Sequence, residues 1–217
     1  MNTRKIAVAV ALACGVGLSG GAVAAGPGDW AGSYIGGHLG YGMDSGVVVD
    51  FGNNPSGGFD MNGYTIGLQG GHNWAVGGMV VGVEADASYA DIKGDALCPN
   101  TAWTCGAKLD QLITVRGRVG MPINNFLLYG TLGVASGQVE AVDGPTGGAE
   151  YPDSKRNTGW VAGIGGEMAF NKNLSGRVEL LYVDLGSNTY MIDPPPGFPV
   201  SVETKLTTLR VGANWKF

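Results

Sequence analysis

Charged side chains recur at every second position in several apolar stretches of this sequence. Glu84 and Asp86, for example, alternate with Val83, Ala85 and Ala87. The charged residues on this polar parity are Glu84, Asp86, Arg116, Arg118, Glu167, Arg177, Glu179, Arg210 and Lys216. Because unpaired charge in a poorly hydrated interior is costly, this nearly balanced set predicts a network of ion pairs in the lumen of the fold. A narrow polar channel whose charges line trapped water is the alternative.

The two histidines offer little support for catalysis. A serine hydrolase needs a serine, a histidine base and an acid that converge on one point. His38 shares the polar parity, His72 falls on the apolar parity, and neither precedes a serine by two residues. Asp44, Asp50 and Asp60 lack the dense spacing of a calcium loop. We therefore predict a structural role for His38 and a protein that is not an enzyme and has no cofactor or metal site.

Composition narrows the class of protein that must position these residues. The chain has 217 residues, of which 44% are hydrophobic and 14% charged. Its 40 glycines are roughly 18% of the chain, against an average near 7%, and have no every-third-residue period, which excludes collagen. The chain is too apolar to be disordered. A sequence pI near 4.9 argues against nucleic acid as a partner.

The first 25 residues have the organisation of a secretory signal peptide. Two cations precede a short apolar run, and an Ala-x-Ala site follows. The run is interrupted by glycine before it reaches the ~20 residues of a membrane-spanning helix. We predict cleavage after Ala24 or Ala25, which leaves residues 26–217 as one domain. A weak lipoprotein-like site leaves open whether Cys14 is ever lipidated.

Removal of that segment leaves two cysteines, Cys98 and Cys105, separated by Pro-Asn-Thr-Ala-Trp-Thr. Two cysteines in an exported chain predict one disulfide that closes a small loop. A metal site would need more ligands than the neighbouring residues supply.

The sequence after residue 30 divides into eight stretches with period-2 alternation, the pattern of β-strands with one apolar and one polar face. The stretches are residues 33–43, 63–75, 79–90, 110–121, 126–139, 158–170, 174–185 and 203–217. Three links between them are short, at 76–78, 122–125 and 171–173. Four are long, at 44–62, 91–109, 140–157 and 186–202. Short turns at one end and long loops at the other are typical of an outer-membrane barrel.

We therefore predict an all-β fold, an eight-stranded antiparallel up-and-down transmembrane β-barrel with short periplasmic turns and four long extracellular loops. Ten strands would result if one loop hides a hairpin. A soluble β-sandwich would also show alternation. Aromatic residues at the ends of the stretches favour the barrel, because such residues form girdles at the two membrane interfaces. They are Trp30, Tyr34, Tyr41, Trp74, Tyr89, Phe126, Trp160, Phe170, Tyr182, Trp215 and Phe217.

Several of these stretches resemble one family of small bacterial outer-membrane β-barrels. Residues 30–41, WAGSYIGGHLGY, resemble the first strand of opacity-type surface antigens and of alphaproteobacterial 25/31-kilodalton outer-membrane proteins. Residues 127–135 and 178–186 are similar to their fifth and seventh strands, and residues 209–217 to their last strand. The resemblance implies an eight-stranded barrel in the outer membrane with exposed antigenic loops. It also implies insertion by the barrel-assembly machinery through the last strand, with Trp215 and Phe217 as the assembly signal.

The function predicted on these grounds is that of a non-catalytic outer-membrane barrel. It would support envelope integrity, contact outer-membrane lipid and lipopolysaccharide, and present surface loops as an antigen or adhesin to a host or cell-surface ligand. A narrow porin for small solutes or ions is the alternative. A loop protein that captures a ligand such as haem is a third hypothesis.

Overall fold

Eight antiparallel strands close into a barrel in the computed structural model, which describes residues 30–50, 58–98, 102–145, 147–148, 151–192 and 198–217. The strands are β1 (Gly32–Asp50), β2 (Gly58–Val76), β3 (Met79–Leu97), β4 (Trp103–Ile123), β5 (Phe126–Pro145), β6 (Tyr151–Ala169), β7 (Leu174–Ile192) and β8 (Phe198–Lys216). Each strand pairs with its neighbours in the chain, and β8 pairs with β1. The predicted eight-stranded up-and-down barrel is therefore confirmed. The predicted signal peptide lies outside the described residues.

Three short turns lie together at one end of the barrel, which we call the turn end. Gly77 and Gly78 join β2 to β3, with φ angles of 56° and 87°. Positive φ at both central residues gives a two-residue turn whose twist matches that of the flanking strands. Between β6 and β7, the Asn171 side-chain oxygen accepts hydrogen bonds from the backbone N–H groups of Asn173 and Leu174. We call the opposite end of the barrel the loop end.

An apolar band surrounds the outside of the barrel next to the turn end. Large apolar side chains there are exposed, such as Ile66 at 57% and Leu132 at 65%. One aromatic row edges the band toward the loop end, formed by Tyr41, Tyr64, Tyr89, Trp160 and Tyr182. Ten residues separate Tyr64 from Trp74 at the other edge, or about 33 Å of strand and about 25 Å of height at the usual tilt. This height matches the hydrocarbon layer of an outer membrane, so the band is the lipid-facing surface.

The strands extend much further toward the loop end than the alternation predicted. Most residues of each of the four segments predicted as long loops belong to strands. In the segment 91–109, for example, β3 continues to Leu97 and β4 begins at Trp103. Within the described residues, no helix is both long and apolar enough to cross a membrane.

The polarity of the wall reverses where the strands pass beyond the apolar band. Ala90 and Ile92 of β3 face inward and are fully buried, whereas Lys93 and Asp95 are exposed. With water outside, the polar side chains face out and the apolar side chains fill the interior. In β4 the register shifts between Leu109 and Gln111. The inward positions are therefore even-numbered on the turn-end side of this shift and odd-numbered on its loop-end side. Such a bulge interrupts the period that sequence analysis relies on.

The interior therefore has two different halves. In the loop-end half an apolar core is built around Leu109, Leu112, Leu181, Leu185 and Leu206, each at most 1% exposed. The predicted disulfide is confirmed, since Cys98 and Cys105 are bonded and lie buried in this core. In the half inside the apolar band the lumen is polar, and the charged residues lie there.

Candidate functional site: the charged lumen

Glu84 is the carboxylate with the most arginine partners in the lumen. It lies on β3 directly opposite Arg116 of β4, and its Oε1 accepts a hydrogen bond from Arg116 Nη2 at 2.5 Å. Its Oε2 accepts a hydrogen bond from Arg177, which reaches it from β7 across the lumen. Arg118 Nη1 lies 3.9 Å from the same oxygen. The Tyr34 hydroxyl donates a further hydrogen bond to Oε2 at 2.7 Å.

Two other carboxylates continue this cluster. Asp86 accepts hydrogen bonds from Arg116 at 3.1 Å and from Arg210 of β8 at 3.0 Å. Glu179 of β7 lies 3.0 Å from Arg116 Nη1 and 3.6 Å from Arg177 Nη2. Arg116 therefore contacts acids from two strands.

Arg118 and Glu167 form a second cluster nearer the turn end. Arg118 Nη2 donates to Glu167 Oε2 at 2.9 Å, and the guanidinium lies 4.1 Å from the centre of the Tyr129 ring. Glu167 also accepts hydrogen bonds from Ser175 and Asn214. Hydrogen bonds to a charged group are the strong ones, so each carboxylate is held in one orientation.

The four acids and four arginines of these two clusters cancel in charge. Their exposed fractions lie between 1% and 4%. Buried charge is tolerated only when it is paired and hydrogen-bonded. Each of these eight side chains has an opposite charge within 3.1 Å and at least one hydrogen bond, whereas several guanidinium nitrogens and Glu179 Oε2 have no hydrogen-bond partner among the described residues. Lys216 lies apart from the fully buried charges. It is partly buried at the turn end of β8, where it lines a cleft with Glu167 and Asn173.

His38 lies in a hydrogen-bonded array beside the first cluster. Its Nδ1 is 2.5 Å from Gln69 Oε1, and its Nε2 is 2.9 Å from Ser88 Oγ. Gln69 Nε2 donates to Asn214 Oδ1 at 2.8 Å, which connects the array to Glu167. With the amide oxygen accepting from Nδ1–H, the imidazole presents Nε2 as an acceptor to the serine hydroxyl. His38 and Ser88 are each 4% exposed, so the array is enclosed.

His72 lies on the outer side of the wall near the turn end. Its Nδ1 is 2.8 Å from Ser33 Oγ, and its ring centre is 4.6 Å from that of Trp74. Within the described residues, no three His, Cys, Asp or Glu side chains form a group that could hold a metal ion. Trp215 faces outward in the apolar band, and the Phe217 backbone N–H donates to Ser33 O at 3.1 Å.

Sequence reasoning did not assign Tyr34, Tyr129, Gln69 or Asn214 to the network. They share the inward parity of the charged residues, which was the available signal. The parity shows which face a side chain occupies, but which partner it meets across the lumen depends on the closure of the barrel.

Lumen glycines make room for these long side chains. A Cβ on Gly67 would lie 2.6 Å from the Ala87 carbonyl oxygen and 2.7 Å from both His38 Nε2 and Ser88 Oγ. The His38 ring thus crosses β2 over Gly67 to reach β3. The carbonyl oxygen is backbone and cannot move aside cheaply.

We expect Gly67→Ala to destabilise the folded barrel by about 1–3 kcal/mol, the usual cost of overpacking. The thermal unfolding temperature in detergent, followed by the mobility of unboiled samples on gels, measures it. Gly37→Ala is the matched control, because its Cβ would meet its nearest neighbour at 3.6 Å, an ordinary contact. Equal stability of the two variants would contradict the proposed crossing of His38 over Gly67.

Comparison with known proteins identifies the family. The family model for the outer membrane protein beta-barrel domain matches residues 10–217 of this chain. The chain belongs to this outer-membrane barrel family. It is 35% identical to the 22 kDa outer membrane protein of Rhizobium leguminosarum bv. viciae over 170 residues, which are 76% of this chain and 69% of that protein.

Further relatives bear out the predicted resemblance. The 31 kDa outer-membrane immunogenic protein of Brucella melitensis is 32% identical over 206 residues, covering 87% of this chain and 84% of that protein. The crystal structure of the outer membrane protein OprG from Pseudomonas aeruginosa has a TM-score of 0.54 at 15% identity, covering 86% of this chain and 96% of that one. This likeness shows the fold, and the family places the barrel in the outer membrane.

Outer-membrane insertion sets the directions of the two ends. The turn end faces the periplasm and the loop end faces the outside. Just beyond the aromatic row on the outer side, Lys108 bonds Asp110 at 2.7 Å and Lys205 pairs with Glu203. The hydrogen bond to Asp110 raises the pKa of the Lys108 ammonium, and the hydrogen bond to Glu203 does the same for the pKa of Lys205. The wall at the headgroup level thus carries both signs of charge.

Proposed function

We propose that this barrel is a non-catalytic outer-membrane protein that supports the envelope and presents its loop end as an antigen or adhesin. The observation that carries the proposal is the neutral, eight-residue charge network that fills the lumen within the membrane. A lumen filled in this way favours a closed barrel over a pore. The function then resides on the outer surface.

Relatives support the display part of this proposal. Proteins of Brucella that are 31–32% identical to this chain are named as outer-membrane immunogenic proteins. An immunogenic protein exposes surface to its surroundings, and in this chain the strands that pass beyond the apolar band provide such a surface.

The enclosure of the lumen speaks against an enzymatic role. The one Ser–His pair described in the lumen, Ser88 with His38, lies where a substrate would have to displace buried charges. A nucleophile needs a path to its substrate. We therefore assign His38 to the structure of the lumen.

Two partners follow from the membrane setting. Lipid and lipopolysaccharide would contact the apolar band and the mixed charges above it. The barrel-assembly machinery would recognise the last strand, with Trp215 and Phe217 as its signal.

A narrow porin is the second candidate, and one observation favours it. Arg177 Nη2 and Arg210 Nη2 are buried donors with no hydrogen-bond acceptor among the described residues. In a hydrated lumen such donors would bind water or a passing anion.

Single-channel conductance of the mature protein in a planar bilayer separates the two candidates. We expect no steady conductance from protein whose insertion is verified by its folded gel mobility after re-extraction. Steady conductance that changes in Glu84→Gln and Arg116→Ala would make the protein a porin and overturn the closed-barrel proposal.

A further inference from the structure

The wall of the barrel is not paired along its full height between β6 and β7. Their ladder ends at Trp160 opposite Asp184. Beyond it, β6 pairs with β5 as far as Tyr151, and β7 pairs with β8 as far as Ile192. Each strand therefore has one paired edge and one edge that faces the other strand. We call the facing edges of 151–159 and 185–192 the β6–β7 seam.

Side chains, rather than backbone pairs, bridge this seam. The Met191 N–H donates to Asp153 Oδ2 at 2.8 Å, and Lys155 Nζ donates to the Thr189 carbonyl oxygen. The Tyr190 hydroxyl donates to Asn157 Oδ1 at 3.0 Å. Two of these bonds join a side chain of β6 to the backbone of β7, so the two strands are connected here without the backbone hydrogen bonds of a paired ladder.

A bulge in β7 lies where the β6–β7 ladder ends. The register of β7 against β8 shifts between Asp184 and Ser187, and Gly186 within it has a φ of 68°. The Gly186 N–H donates to Asp184 Oδ1 at 2.9 Å, which fixes the local turn. A bulge bends its strand, and here the bend begins where the β6–β7 ladder stops.

We propose that the β6–β7 seam binds an extended peptide segment of a partner protein, which adds to the barrel as a strand. Unpaired strand edges present the N–H and C=O groups that recognise an extended backbone. The Met191 N–H and the Thr189 carbonyl, now bonded to Asp153 and Lys155, would bond the peptide backbone instead. Asp153 and Lys155 lie 3.6 Å apart and are partly exposed, so they can pair with each other when displaced.

The position of the seam argues for a peptide over a lipid chain. It begins beyond Trp160 and Tyr182, the aromatic row that ends the apolar band. The side chains that bridge it are polar. An acyl chain would lose its apolar surroundings there, whereas a peptide would find donors and acceptors. The inference rests on the proposed display role to the extent that the loop end must be accessible from outside.

The Met191 N–H allows a direct test, because it faces the seam rather than β8. Met191→Pro removes that donor. On the other side of β7, Met191 lies opposite Pro199 of β8, and proline has no backbone N–H. Proline is tolerated at an edge when its missing N–H pointed away from the ladder. Met191→Ala keeps the N–H and is the matched control.

The experiment pans a displayed library of random ten-residue peptides on the mature protein in lipid nanodiscs, after removal of binders to empty nanodiscs. Enriched peptides are synthesised with a fluorophore, and their Kd is measured by anisotropy. We expect Met191→Pro to weaken binding at least tenfold and Met191→Ala to leave it unchanged. Peptides N-methylated at alternate residues should also lose binding to the wild-type protein, which tests the backbone bonds even if the proline variant does not fold.

Any of three results would overturn the inference: no peptide is enriched, the enriched peptides bind Met191→Pro as tightly as the wild-type protein, or N-methylation of the peptides does not weaken their binding. Conductance of the same preparations is an independent readout. A conducting barrel that binds peptides at the seam would refute the closed lumen and leave the seam proposal standing.

Discussion

Glu84→Gln is expected to lower the free energy of unfolding by about 3–5 kcal/mol, the usual cost of breaking a buried ion pair by removing one partner. The variant leaves four buried arginines facing three acids. Arg116 and Arg177 bond different oxygens of Glu84. The amide has only one acceptor oxygen, so one of the two guanidinium groups would face an NH2 donor instead. Urea unfolding of the protein in lipid vesicles, followed by tryptophan fluorescence, measures the change.

An exposed acid provides the control for this variant. Glu203→Gln removes a carboxylate that pairs with Lys205 on the outer surface, where both side chains are about 40% exposed. Exposed pairs contribute little, so we expect a change below about 1 kcal/mol. The double variant Glu84→Gln with Arg177→Gln should cost less than the sum of the single variants, because the second change removes charge left unpaired by the first. Strict additivity would show that the two residues do not interact.

Leu109→Ala is expected to cost about 2–5 kcal/mol, although the residue lies beyond the lipid-facing band. Leu109 is fully buried in the loop-end core, near Leu185 and Gly137. Truncation leaves a cavity that surrounding side chains cannot fill. The same unfolding measurement applies.

Leu128→Ala removes the same atoms from the lipid-facing surface and is the matched control. Leu128 is 55% exposed to the bilayer, where lipid chains can occupy the space. We therefore expect a smaller loss of stability than for Leu109→Ala. If the loop-end half were an open, water-filled funnel, the two substitutions would cost about the same.

The sequence predicted the membrane half of the fold correctly because each of its strands separates lipid from a polar interior. Ile66, Leu132 and Ile164 lie on the outward parity, as predicted, and are exposed. The glycine pair at 77–78 and the short links marked the turns. The two cysteines left after residue 25 could pair only with each other if they formed a disulfide within the chain, and that disulfide is present.

The extent of the strands beyond the membrane could not be predicted in the same way. Period-2 alternation shows that two faces differ, but not which face meets lipid and which meets water. At Ala90 and Ile92 the apolar side chains of β3 move from the outward to the inward positions, although the inward positions themselves stay even-numbered. In β4 the bulge beside Asp110 shifts the period, so the continuing strand resembled a polar loop in sequence.

The sequence by itself determined the fold class and the outward apolar set, because these depend on local alternation. Only the tertiary structure decided which charges meet, as with Glu84 and Arg177, 93 residues apart. It also decided that the pairing of β6 with β7 ends near Gly186. Contacts across a lumen and gaps in a wall depend on how the barrel closes, and closure is a property of all eight strands together rather than of any one.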